Sequence, residues 1–141
     1  VIIKAETEPI TPDEWLIRLV WHTSFTTRVP IISPGSFDPR KTETDGISFF
    51  RRACLDDSAD ALKVIEVAKR PRYGMVEISV KLLSMMGLTV TPDPVPTALG
   101  HVVVPEINIT DFLADKGRFT PIKLRLATEA SANIIRMPVA P

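Results

Sequence analysis

The chain has one cysteine, Cys54, in 141 residues. No intrachain disulfide and no zinc site built from several thiolates is available to it. A chain without structural disulfides belongs in a reducing compartment, and a cytoplasmic location is expected. Charge of one sign is lacking too: 17 Lys and Arg balance 17 Asp and Glu. A neutral total removes the general electrostatic case for nucleic acid or an anionic membrane surface as partner. No apolar run is long enough to span a bilayer. The stretch Val1 to Glu8 carries acidic residues where a signal peptide has a basic start and an apolar centre. Gly35, Gly46 and Gly74 stand apart as turn glycines, so no glycine-rich phosphate loop exists. There is no internal repeat and no low-complexity tract.

What is present describes a folded unit. The hydrophobic share is 45% and the charged share 24%, as in ordinary globular chains. The length suits a single domain over 1–141, with an extended arm over 1–10. The 13 prolines cut the chain into short elements. Thr11-Pro12-Asp13-Glu14 has the chemistry of a helix start, so a helical turn leading into a strand is expected across Trp15 to Trp21. Thr23 to Thr44 reads as a long loop, a feature often tied to function.

After the Asp45-Gly46 turn, Ile47 to Phe50 reads as a strand. Asp57 or Ser58 caps an amphipathic helix with Leu62, Ile65 and Ala68 on its inner face, ended by Pro71. Tyr73-Gly74 reads as a turn into the strand Met75 to Val80. Ser79 caps a short helix closed by Gly87. Leu88 to Thr91 and His101 to Val104 read as strands. Thr110 caps a turn closed by Gly117. Ile122, Leu124 and Leu126 alternate with Lys123 and Arg125, which predicts a C-terminal strand or hairpin within 121–141, with Ala132 to Met137 as its partner. The expected class is α+β, with a mixed or mainly antiparallel sheet and short helices.

Several segments recur in one order: Gly35-Ser36-Phe37, Asp45-Gly46-Ile47-Ser48, Tyr73 to Ile78, Leu88 to Pro94, and His101 to Val104. In this the chain resembles a group of small bacterial proteins without an assigned activity, over about two-thirds of its length. That resemblance implies no activity, and Glu106 marks its end.

Three constellations carry candidate chemistry. Arg18, Ser48 and Glu106 lie on or beside strands, in an order that resembles the arginine-serine-glutamate ADP-ribosyltransferases. The resemblance implies that Arg18 binds the dinucleotide, the Ser48 strand shapes the pocket and Glu106 polarises a ribose hydroxyl. A guanidinium matches phosphate geometry, and a carboxylate stabilises a cationic sugar. The pattern departs from that family in two places. Phe49 and Phe50 follow Ser48 where a second serine is usual, and Val104 stands two residues before Glu106 where a Glu or Gln is usual.

The second set is Arg28, Arg40, Lys41, Arg51 and Arg52 interleaved with Phe37, Phe49 and Phe50, the composition that holds single-stranded nucleic acid by phosphate contact and stacking. Asp38, Glu43 and Asp45 interrupt it, and a solvated loop over an aromatic core is the simpler expectation. The third set is His22, His101 and Cys54. Neither histidine has zinc-motif spacing, and His101 is expected at a strand mouth, hydrogen-bonded to a neighbouring loop. Cys54 lies near Arg51 and Arg52, which favours a thiolate, although a lone cysteine usually packs as a small hydrophobe. No metal and no cofactor is expected. The leading expectation is an accessory domain that binds another macromolecule, with a protein partner and neither nucleic acid nor membrane. Arg28, Arg40, Arg51, Arg52 and His101 are its candidate binding residues.

Overall fold

The computed structural model describes residues 2–139. Six strands form one sheet: β1 (Trp15–Trp21), β2 (Ile47–Arg51), β3 (Tyr73–Ser79), β4 (Thr91–Pro92), β5 (His101–Val104) and β6 (Ile134–Arg136). Their order is β4-β5-β2-β1-β3-β6, and every neighbouring pair is antiparallel. Three α-helices accompany them: α1 (Val80–Met85), α2 (Ile109–Ala114) and α3 (Thr120–Ala132). The remaining turns are 3-10 segments, chiefly Pro34–Phe37, Ser58–Val64 and Val67–Arg72. The fold is α+β with a wholly antiparallel sheet. Among the described residues no helix is long and apolar enough to cross a membrane.

Side-chain alternation along each strand divides the core. Leu16, Val20, Ile47, Phe49, Val76, Ile78, Val102 and Val104 pack with Leu83, Phe112, Phe119, Leu126, Ala127 and Ala130 on the face that carries the α-helices. Ile17, Leu19, Phe50 and Met75 pack with Leu55, Ala61, Leu62 and Ala98 on the opposite face, which the 3-10 segments cover. Both faces of β1 and β3 are therefore buried. This explains the near-continuous apolar run from Trp15 to Trp21, which is strand throughout and has no helical turn. The expected cap survives in part: Glu14 Oε2 accepts the Thr11 N–H at 2.8 Å, but the segment it closes is a turn.

The largest correction lies at the C-terminus. Thr120–Ala132 is helix, not strand. Pro121 sits in its first turn, where a missing N–H costs nothing, and Leu126, Ala127 and Ala130 make the narrow buried stripe of a helix. The alternation of Ile122, Leu124 and Leu126 is coincidental, since Leu124 is 49% exposed. Ile134–Arg136 does form a strand, but it pairs with β3.

Smaller differences have local causes. The segment after Asp57 is two 3-10 stretches instead of one amphipathic helix, and Ala68 faces solvent. Its cap stands as a capping box of Asp57 with Asp60. Pro71 lies inside the second stretch. Tyr73 and Gly74 belong to β3, the Leu88 region pairs only at Thr91–Pro92, and Asn108 replaces Thr110 as the cap of α2. Ser79 caps α1 through the Leu82 N–H, as expected.

The expected N-terminal arm is tied down. Lys4 N–H donates to Ala53 O at 2.8 Å, and the Gly100 N–H donates to Glu6 Oε2 at 3.0 Å. Gly100 has φ +79, and a Cβ there would lie 2.8 Å from the Cys54 Cβ, so glycine is required just before β5. Arg51 anchors the arm from below. Its guanidinium is 1% exposed and bonds both oxygens of Glu14 and the carbonyls of Glu6, Glu8 and Pro9. Its hydrogen bonds to Glu14 raise it above its ordinary value against the pull of burial.

Removing one partner of such a buried pair strands the other charge. Glu14→Ala is expected to lower unfolding free energy by about 3–5 kcal/mol in urea titrations. The double variant Glu14→Leu, Arg51→Met should recover much of that loss.

Candidate functional site

The hydrogen-bond ladder between β1 and β2 stops early. Leu16 faces Arg51 and Ile17 faces Phe50, and there the pairing ends. In an antiparallel ladder the next rung after Phe50 belongs to Ser48, opposite Leu19. Both backbone groups of Ser48 are bonded elsewhere. Its N–H donates to Glu43 Oε2 at 2.7 Å, and its carbonyl accepts from Arg18 Nη1 at 3.0 Å. The Leu19 carbonyl accepts from Arg40 Nη2 at 3.5 Å. Charged side chains thus occupy the place of the missing rung, and the two strands splay apart around them.

Arg18 is the centre of this wedge. It is 2% exposed, pairs with Glu43 at 3.1 Å and donates from Nε and Nη2 to the Ser36 carbonyl at 3.2 and 3.0 Å. Its guanidinium lies 5.8 Å from the centre of the Phe49 ring. Burial pulls Arg18 down from its ordinary value, and the Glu43 charge opposes that. Burial would lift the Glu43 carboxyl, but the Arg18 charge and the N–H groups of Arg40 and Ser48 outweigh it and hold Glu43 below the usual carboxylate range.

The loop that supplies Ser36 is itself held by α3. Lys123 Nζ meets Asp38 at 2.6 Å, and Ser131 Oγ accepts the Ile32 N–H at 2.9 Å.

Beside the wedge, on the face covered by 3-10 segments, opens a cleft of about 280 Å³. Leu19, Phe50, Val64, Ile65 and Val95 give it apolar surface; Arg18, Arg40, Ser48, Thr97 and His101 bring polar groups. No carboxylate is among these lining residues. Register explains the arrangement. Phe50 faces His101 and Ser48 faces Val103, so Ser48 and His101 are diagonal neighbours on one face. His101 sits at the strand mouth, with Nδ1 2.6 Å from the Asp93 carbonyl and 3.3 Å from its carboxylate. A carbonyl can only accept, so Nδ1 carries a proton, and in the neutral ring Nε2 has a lone pair. The ring packs edge-on against Phe50 at 5.1 Å.

The residues named from sequence divide sharply. Arg18, Ser48, Arg40 and His101 meet at the cleft. Glu106 does not line it; its carboxylate takes the Thr89 N–H at 2.9 Å and the Thr89 hydroxyl at 2.6 Å. Arg51 is buried under the N-terminal arm, Arg52 pairs with Glu77, and Arg28 is exposed with no ion pair among the described residues. Phe37, Phe49 and Phe50 are all at most 3% exposed, so no ring of that set is free to stack on a base.

Cys54 is buried, and burial pushes its thiol up in spite of Arg51, which reverses the expected thiolate bias. Among the described residues no three His, Cys, Asp or Glu side chains gather as metal ligands. Glu43 escaped the sequence reading. The signal was available in an arginine set within the apolar strand Trp15–Trp21, which demands a buried carboxylate partner.

These features define a small antiparallel α+β domain with a polar-edged cleft at an opened sheet. Comparisons of the chain with protein-family models, with curated proteins and with solved structures found no match.

The Glu43 carboxyl is depressed in the fold, so its stabilising contribution is present above its ordinary value of 4.5 and is lost as pH falls through the lowered one. Glu43→Gln should cost about 3 kcal/mol at neutral pH. It should also flatten the acid limb of stability against pH, leaving the part due to Glu14, Glu106 and Asp13, whose carboxyls are lowered as well. Urea midpoints from pH 7 to pH 3 measure both effects.

Proposed function

We propose that this chain is a binding module for another protein and that the cleft between β2 and the loop of Val95 and Thr97 receives it. One observation carries the reading. Arg40, Ser48 and His101 surround an apolar floor with hydrogen-bonding capacity that the fold leaves unused. Arg40 forms no ion pair among the described residues. Ser48 Oγ and His101 Nε2 have no partner there, and neither is a buried unsatisfied atom, so both are open to solvent. Functional pockets combine a mostly apolar lining with a few convergent polar groups in this way.

A macromolecular occupant suits the surroundings. Val64, on the cleft wall, is 37% exposed, and Val67, three residues on, is 69% exposed, so apolar surface continues outward. The sheet edges are poor docking sites. β4 has two residues, one of them proline, and β6 has three. The nicotinamide-dinucleotide reading has less support. The Arg18 guanidinium is committed to Glu43 and two carbonyls, and Glu106 lies outside the cleft.

The test is amide-resolved NMR of the ¹⁵N-labelled protein with acetylated octapeptide pools bearing free C-terminal carboxylates. Shift changes are expected at Ser48, Thr97 and His101, and Ser48→Trp, which plugs the cleft, should abolish them. Pools that leave these amides unmoved would overturn the proposal.

A further inference from the structure

We infer that the element captured in this cleft is the C-terminus of the partner chain, ending in an apolar residue. The inference rests on the binding reading above and names the ligand chemistry for the same site.

The cleft offers three kinds of contact within about 280 Å³. Arg40 is a cation without an ion-pair partner among the described residues, and no carboxylate lines the space, the Asp93 carboxylate standing 3.3 Å from His101 Nδ1. Arg18 adds no net charge, because Glu43 balances it at 3.1 Å. The cleft therefore favours one negative charge, and the hydroxyls of Ser48 and Thr97 supply further donors to it. His101 Nε2 offers the opposite polarity. With Nδ1 donating to the Asp93 carbonyl, Nε2 of the neutral ring accepts, and it then calls for an N–H on the ligand. Phe50, Leu19, Val64, Ile65 and Val95 form the apolar part.

In so small a space the ligand must carry an anion, an N–H and an apolar group only a few bonds apart. The last residue of a polypeptide has this constitution: an α-carboxylate, a peptide N–H and a side chain on one Cα. An internal Asp or Glu holds its carboxylate at the end of its own side chain, without an apolar group on the same Cα. A fatty acid and a simple phosphate monoester can each supply the anion, but both lack the N–H beside it. Capture of a C-terminal carboxylate is an established mode of peptide recognition.

The experiment compares two sets of acetylated octapeptide pools by ¹⁵N NMR titration. Each pool has one fixed last residue (Leu, Ile, Phe, Asp or Lys). One set ends in the free acid and the other in the carboxamide. Free-acid pools ending in Leu, Ile or Phe should shift the Ser48, Thr97 and His101 amides. Their carboxamides should bind about tenfold or more weakly, the loss expected when a charge-assisted hydrogen bond is removed.

N-Acetyl-leucine should move the same amides at higher concentration, and leucinamide should not. Arg40→Gln should erase the difference between acid and amide while the protein stays folded, since Arg40 is exposed. Equal binding of acid and amide pools at the cleft would overturn the C-terminal assignment and leave the binding module standing. Silence from every pool would remove both.

Discussion

A cation buried inside a sheet must be met by a full set of acceptors, and the Arg18–Glu43 pair shows what that demand does to a fold. Two ionised groups taken out of water lose several kcal/mol of hydration each, on the order of magnitude known for buried ions. Here the loss is offset by mutual attraction and by the Ser36 and Ser48 carbonyls and the Ser48 N–H. Those are the groups a regular ladder would have used or exposed. The pair therefore does more than sit in the core: it stands in for a β-sheet rung and holds β1 and β2 apart where they would otherwise pair. The loop carrying Ser36 and Asp38, its tether to Lys123 on α3, and the opening that becomes the cleft all follow from that substitution.

The other end of the same strand pair is treated in the opposite way. Leu16 and Arg51 are paired, and the Arg51 guanidinium points to the same face as Leu16, where Glu14 and three carbonyls of the N-terminal arm enclose it. One buried ion pair closes the sheet and the other opens it. The difference lies in the direction each arginine takes. Arg51 reaches outward to a terminal segment that wraps over it, whereas Arg18 reaches sideways into the gap between strands. Two similar pieces of electrostatics thus give a locked end and a receptive end to one short strand pair.

The chemical character of the receptive end comes from sheet geometry. Alternation puts Ser48 and Phe50 on the same face, and antiparallel register sets His101 directly across from Phe50. The Asp93 carbonyl then fixes which nitrogen of the neutral imidazole bears the proton. A donor set, an acceptor and an apolar floor result from the pairing of four strand residues, with Arg40 brought in by the loop that Glu43 organises through the Arg40 N–H. The proposed binding rests on the unused polarity of these groups, whereas the bonds of Arg18 are all internal.

Much of the local structure was legible in the sequence, because it depends on neighbours along the chain. The cap at Asp57, the Ser79 cap, the strands at Ile47 and His101 and the α+β class all follow from propensity, capping and composition. What the sequence left open was decided by contacts distant along the chain. Ile122, Leu124 and Leu126 read by a period of two as strand, whereas the buried stripe of Leu126, Ala127 and Ala130 against β3 and the Ser36 loop selects the helix.

Glu43, twenty-five positions from Arg18, was one acid among 17 until the loop placed it. Only the tertiary fold could bring Arg40, Ser48 and His101 to one cleft and leave Glu106 and Arg51 outside. Spacing along a chain states which faces a strand presents, but not which strands lie side by side.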